Sequence, residues 1–230
     1  MSSLNNFHKI NIEDYNRKEH FYFYLNSVPC SYSLTVDFDI TLLLEKIKFM
    51  KDNNILIFDE NIKFYPLMIY LLSSTVNMHR EFKMSYKDNT LGYYDIVHPI
   101  YTVLNKESKT FYSLYTEYDK NFINFYKNYI VDNKKYYNST KLSPKECNLE
   151  NIFYISILPN VQFTSFNLNI PNKSNSLAPI FTMGKYYTRD NKILIPISMQ
   201  VHHSVCDGYH IGLFTQSLQK NINSFTLNLI

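Results

Sequence analysis

Four glycines, three cysteines and no tryptophan among 230 residues set limits before any motif is read. Gly92, Gly184, Gly208 and Gly212 cannot form a GxGxxG turn or a P-loop, so the common phosphate-cradling loops are excluded. Cys30, Cys147 and Cys206 cannot all pair within the chain, and "MSSLNNFHKI" lacks the basic start and apolar core of a secretory signal, so the expected compartment is a reducing cytoplasm. Long apolar runs are also missing. "FYPLMIYLL", from Phe64 to Leu72, falls far short of the roughly 20 residues that cross a bilayer, and a soluble protein is expected. The 23 basic and 20 acidic side chains are scattered, leaving a net charge of +3 without the basic stripe of a nucleic-acid footprint. Neither a repeat nor a Gly/Ser- or Pro-rich linker interrupts the chain, so one domain over residues 1–230 is the expected organisation.

Hydrophobic residues make up 45% of the chain, and the aromatic share of 17% is carried by 21 Tyr and 17 Phe, enough for one sizeable core. "DITLLLEKIKFM" from Asp39 opens on a capping residue, and "YPLMIYLLSSTVNMH" carries Pro66 near its first turn; both read as helices. A third helix is predicted in "TFYSLYTEYDKNFINFYKNYI", where Phe111, Leu114, Tyr118, Phe122 and Phe125 recur every three or four residues. Strands are predicted at "LGYYDIV", "YTVLN", "NIFYISIL" and "FTSFNLNI". "APIFTMGKYYT" and "KILIPISMQVHH" flank "RDN" as a long hairpin. Helices and strands mix without strict alternation, which argues for an α/β or α+β protein built on a mixed sheet rather than a doubly wound nucleotide fold.

"QVHHSVCDGYH", from Gln200 to His210, concentrates the chemistry. Along the last strand Ile197, Met199, Val201 and His203 share one face, while Ser198, Gln200 and His202 share the other. Asp207 can cap a helix whose Ile211, Phe214, Leu218 and Ile222 form one apolar stripe. Three readings of His203 follow from these positions. It is a satisfied core histidine, or a metal ligand with Asp207 and His210 if the segment were continuously helical, which Gly208 argues against, or a general base kept neutral by an apolar cleft.

The segment carries HHxxxDG and in this resembles the CoA-dependent acyltransferases, including chloramphenicol acetyltransferases, dihydrolipoyl acyltransferase cores and peptide-synthetase condensation domains. The segments "NRKEHFYFY", "VPCSYSLTVDFDIT", "KFYPLMIY", "FTSFNLN" and "APIFTMGKYY" resemble, in order, those of the classical chloramphenicol acetyltransferases, from about residue 6 to about residue 225. The resemblance implies a two-layer sandwich of mixed sheet and helices, assembled as a homotrimer whose active sites lie between subunits. It implies acetyl-CoA as co-substrate, no metal, and O-acetylation of chloramphenicol at its primary hydroxyl by direct transfer in a ternary complex.

By the same resemblance His203 is the general base, its other ring nitrogen donating to its own backbone carbonyl. Ser156 is the oxyanion donor, a role worth roughly 3 kcal/mol, and Thr182 acts through a bound water. Asp207 and Arg17 form an ion pair that supports the site, with His202 structural and Cys206 a packing residue. Phe23, Tyr24, Val28, Cys30, Thr102, Phe111, Phe166 and Leu168 match drug-pocket positions, Tyr24 also lying against His203. Lys63, Tyr65, Lys185 and Tyr186 match CoA contacts. The chain departs from familiar members in extra residues within "FMKDNNILIFDEN", in Ser143 where a relative has a pocket phenylalanine, and in "LPN" where a Pro-Trp step is common. These departures leave open a second reading, acetyl transfer to a different hydroxylated acceptor. A non-catalytic binding protein of this fold is the third.

Overall fold

The computed structural model describes residues 6–170 and 176–227. Along the chain run β1 (Phe7–Lys9), α1 (Lys18–Tyr22), β2 (Ser31–Asp39), α2 (Thr41–Asp52), β3 (Leu56–Ile57), β4 (Glu60–Asn61) and α3 (Phe64–Met78). Next come β5 (Met84–Lys87), β6 (Thr90–Tyr94), β7 (His98–Leu104), β8 (Phe111–Tyr115), α4 (Phe122–Lys135) and β9 (Ile152–Ile157). The chain closes with β10 (Ile180–Met183), β11 (Tyr187–Arg189), β12 (Lys192–His202) and α5 (Gly208–Ser224).

Seven strands form one mixed sheet in the order β11-β12-β10-β9-β7-β8, with β2 on the other side of β12. β9 runs parallel to both β7 and β10, and the remaining pairs are antiparallel. Successive side chains of a strand point to opposite faces. One face therefore presents Phe153, Ile155, Phe181, Met183, Ile197 and Met199, all at most 2% exposed. α3 and α5 cover it, and Phe181, Phe82 and Phe214 stack at the contact, with ring centroids 4.4 Å apart for Phe82–Phe214 and 5.2 Å for Phe181–Phe214. The α5 stripe of Ile211, Phe214, Leu218 and Ile222 is buried as its spacing predicts. The Asp207 carboxylate accepts from the Tyr209 N–H at 3.1 Å and caps that helix. The β11–β12 turn also follows the prediction: Asp190 and Asn191 have φ of 50° and 60°, the left-handed pair of a type I′ hairpin.

Two predictions fail. Residues Phe111–Tyr115 form a strand, with Tyr112 and Leu114 buried and Phe111 exposed, and the helix begins only at Phe122 after the cap by Asn121. The spacing of Phe111, Leu114 and Tyr118 fits a helix, but pairing with β7 satisfies the backbone and buries alternate residues instead. "FTSFNLNI" forms no strand. It crosses the sheet face, and its backbone groups are met by side chains of β12. The extra residues after α2 fold into the β3–β4 hairpin, turned by Phe58 and Asp59 at φ of 51° and 61° and anchored by buried Ile57 and Ile62. Among the described residues, no helix is long and apolar enough to cross a membrane.

Candidate active site

β12 ends at His202, and the turn that follows sets His203 between three elements. Its backbone N–H donates to the Cys30 carbonyl at 3.0 Å, tying the turn to the segment before β2. Its ring stacks on Tyr24, centroids 3.9 Å apart and planes 15° apart, and meets Tyr32 edge-on at 5.0 Å. Tyr24 is carried by a π-helical turn, Phe23–Ser27, which prolongs α1 and re-aims its side chains. The His203 Nδ1 lies 3.3 Å from the Cys206 carbonyl, which can only accept, so a neutral ring carries its proton on Nδ1 and leaves the lone pair on Nε2. This corrects the expected bond to the histidine's own carbonyl. That oxygen instead accepts from Arg17 Nη2 at 3.3 Å.

Arg17 Nη1 forms the expected ion pair with Asp207, whose carboxylate also lies 2.8 Å from His210 Nδ1. Burial pushes the Asp207 carboxyl up, but Arg17 and His210 outweigh it and hold it below the ordinary carboxylate range. Burial raises the Cys206 thiol far above its usual range, which suits a packing residue rather than a nucleophile. His203 turns to Tyr24 while Asp207 and His210 pair with each other. Among the described residues, no group of three or more His, Cys, Asp or Glu is arranged to hold a metal ion.

The sheet face opposite the helices carries a row of hydroxyls. Register pairs Ser113 with Thr102, Ser156 with Thr182, Thr182 with Ser198 and Ser198 with Thr35, and Thr102 Oγ1 lies 3.3 Å from Ser156 Oγ. Above this row opens a cavity of about 540 Å³, a size suited to a drug-like molecule. Cys30, Thr102, Phe111, Ser156 and Leu168 line it, five residues from five separate segments that the resemblance assigned to one site. Burial raises the Cys30 thiol. Thr182, 2% exposed, sits beside Ser156 without reaching the wall. Phe23 and Val28 are each 49% exposed and also stand outside the wall of the single chain. Phe166 packs against Phe163. Ser143 does not line the cavity.

Among the polar wall residues that sequence reasoning did not assign to the pocket are Gln200, His202 and Tyr154. His202 Nδ1 accepts from the Ser204 N–H at 3.3 Å and lies 2.7 Å from its hydroxyl, which leaves the proton on Nε2. Burial, and then the neighbouring His203, lower its pKa. The shared face of Ser198, Gln200 and His202 was the signal available for Gln200 and His202.

The residues assigned to CoA also converge. Lys63 precedes α3, and its ammonium pairs with Glu60 of the β3–β4 hairpin at 3.0 Å. Phe64 meets Tyr186 edge-on at 5.8 Å, bringing the start of α3 to the exposed Lys185–Tyr186 loop. Tyr65 donates to the Thr102 carbonyl at 3.0 Å, which joins this region to the cavity wall.

A family model described as chloramphenicol acetyltransferase matches residues 5–219. A chloramphenicol acetyltransferase of Clostridium butyricum is 46% identical over 221 residues, covering 96% of both chains. Among solved structures, one called chloramphenicol acetyltransferase superposes with a TM-score of 0.79 at 21% identity, covering 94% of this chain and all of that one. The dihydrolipoamide acetyltransferase of Azotobacter vinelandii superposes at 0.65 and 16% identity, covering 85% of this chain and 82% of that one. The two superpositions establish a shared acyltransferase fold.

Proposed function

The chain belongs to the chloramphenicol acetyltransferase family, and from that premise we propose that it transfers acetyl from acetyl-CoA to the primary hydroxyl of chloramphenicol, with His203 as base. The observation that carries the mechanism is the commitment of His203 Nδ1 to the Cys206 carbonyl, with the ring clamped on Tyr24. A neutral imidazole fixed in this tautomer offers only Nε2 to a substrate proton. The drug hydroxyl gives its proton to Nε2 as its oxygen bonds to the thioester carbonyl carbon. The carbonyl oxygen takes the negative charge and accepts from the Ser156 hydroxyl, for which Thr102 supplies a second hydroxyl partner. Collapse breaks the carbon–sulfur bond, and the imidazolium returns its proton to the CoA sulfur. No acyl-enzyme is needed. A serine donor of this kind is worth about 10²–10³ in kcat.

The drug occupies the cavity between the hydroxyl row and Leu168, and the lysines at 63 and 185 with Tyr186 receive CoA, where cations suit phosphates and a ring suits adenine. The 230 residues act as one domain in the cytoplasm. The working unit is a trimer. In support, Ser156 and Thr102 line the cavity of one chain while His203 of that chain does not, which suits a site completed by a neighbouring subunit. Co-expression of His203→Ala and Ser156→Ala chains tests this directly: mixed trimers regain turnover that neither parent variant has. Mixed trimers as inactive as the two variants would refute a shared site.

A further inference from the structure

Gln200 lies on β12, buried to 6% exposure, with its side chain on the cavity face. Its carboxamide takes both backbone groups of a single residue: Nε2 donates to the Leu168 carbonyl at 2.9 Å and Oε1 accepts from the Leu168 N–H at 3.0 Å. This reproduces the paired bonds of a β-ladder with a side chain in place of a strand. Two residues earlier on the same face, the Ser198 hydroxyl donates to the Phe166 carbonyl at 2.6 Å. The segment held in this way has no strand of its own, yet its Leu168 and Ile170 form one wall of the cavity, and both side chains are more than 40% exposed. Side-chain hydrogen bonds from β12, with one from Ser33 of β2 to Asn167 at 2.7 Å, hold this wall at its distance from the sheet.

We infer that Gln200 is a positioning residue that sets the width of the acceptor pocket and so its choice of alcohol, an inference that rests on the reading of the cavity as the acceptor site. Only a side chain that both donates and accepts can hold both groups of Leu168. Glutamate can serve the N–H but turns a carboxylate oxygen toward the carbonyl, and leucine serves neither.

The test compares the intact protein with Gln200→Leu, Gln200→Glu and Ser198→Ala. Amide exchange of residues 163–170 is read alongside steady-state turnover of chloramphenicol and of bulkier primary alcohols. In Gln200→Leu we expect the Leu168 amide to exchange at least tenfold faster. The KM for chloramphenicol rises about tenfold, the KM for acetyl-CoA stays within about twofold and kcat within about threefold, and discrimination against bulkier alcohols falls. Gln200→Glu falls between parent and leucine variant. Ser198→Ala moves exchange and alcohol preference in the same direction and carries the test if Gln200→Leu does not fold. Unchanged exchange at Leu168, or unchanged KM and alcohol preference in a folded variant, overturns the inference. A parent that turns over no chloramphenicol overturns the functional reading instead, while exchange still reports whether Gln200 holds the segment.

Discussion

Replacing Asp207 by asparagine removes one charge from beneath His203 and leaves the shape intact, so it isolates the ion pair with Arg17. The amide oxygen can still accept from the Tyr209 N–H and cap α5, but the guanidinium, with its side chain 16% exposed, loses its counter-charge. Stripping a partner from a fully buried pair costs about 3–5 kcal/mol. Here the Asp207 side chain is 29% exposed, and water screening brings the expected cost down to about 2 kcal/mol. For a chain of this size that is a fall in Tm of roughly 4–8 °C. Asp207→Ala also loses the cap and should fall by about 1 kcal/mol more. Arg17 donates to the His203 carbonyl, so a loosened guanidinium shifts the base, and kcat should fall more than the KM for either substrate. The carboxyl is held below its ordinary value when folded, so its contribution is complete above about pH 4 and is lost as pH falls through the folded pKa. Calorimetry from pH 8 to pH 3 should show a constant gap between parent and asparagine variant that narrows only at the acid end. An asparagine variant that melts with the parent at pH 7, or a gap that is widest in acid, would refute the reasoning.

Two further predictions follow from burial and close approach. Burial lowers the pKa of His79, His98 and His202, so the unfolded chain takes up protons that the folded one refuses. Stability should hold above about pH 6.5 and decline as pH falls toward the lowered folded values; Tm at pH 5.5 should lie below that at pH 7.5. His98→Gln, which keeps an acceptor for the Tyr118 N–H, should flatten that slope. A Cβ at position 92 would lie 2.5 Å from the His8 carbonyl oxygen, whereas one at position 212 meets nothing within 4 Å. Gly92→Ala should therefore cost about 1–3 kcal/mol and Gly212→Ala gain roughly 0.5–1 kcal/mol, and equal shifts in chemical denaturation would contradict both.

What was legible in the sequence is what local periodicity and turn chemistry decide. The α5 stripe, the Asp207 cap and the Asp190–Asn191 hairpin each rest on residues close together in the chain. Phe111 and Leu114 misled because a spacing of three fits a helix, while the pairing partner that makes them strand residues lies in β7, out of reach of a local window. The 163–170 segment misled for a related reason. It has strand composition, but its backbone partners are the side chains of Ser198 and Gln200. At the site, the motif marked His203 and Asp207, and resemblance assigned Arg17, Ser156 and Thr102. The Nδ1 bond to Cys206 and the role of Gln200 depend on distances that no spacing encodes.

The most direct test of the account is acetyl-CoA-dependent thiol release on addition of chloramphenicol, measured for the parent and for His203→Ala. The account predicts steady turnover in the parent and loss of nearly all of it in a folded variant that still binds both substrates. Turnover that survives the loss of His203, or a folded parent that releases no thiol with chloramphenicol, would contradict it.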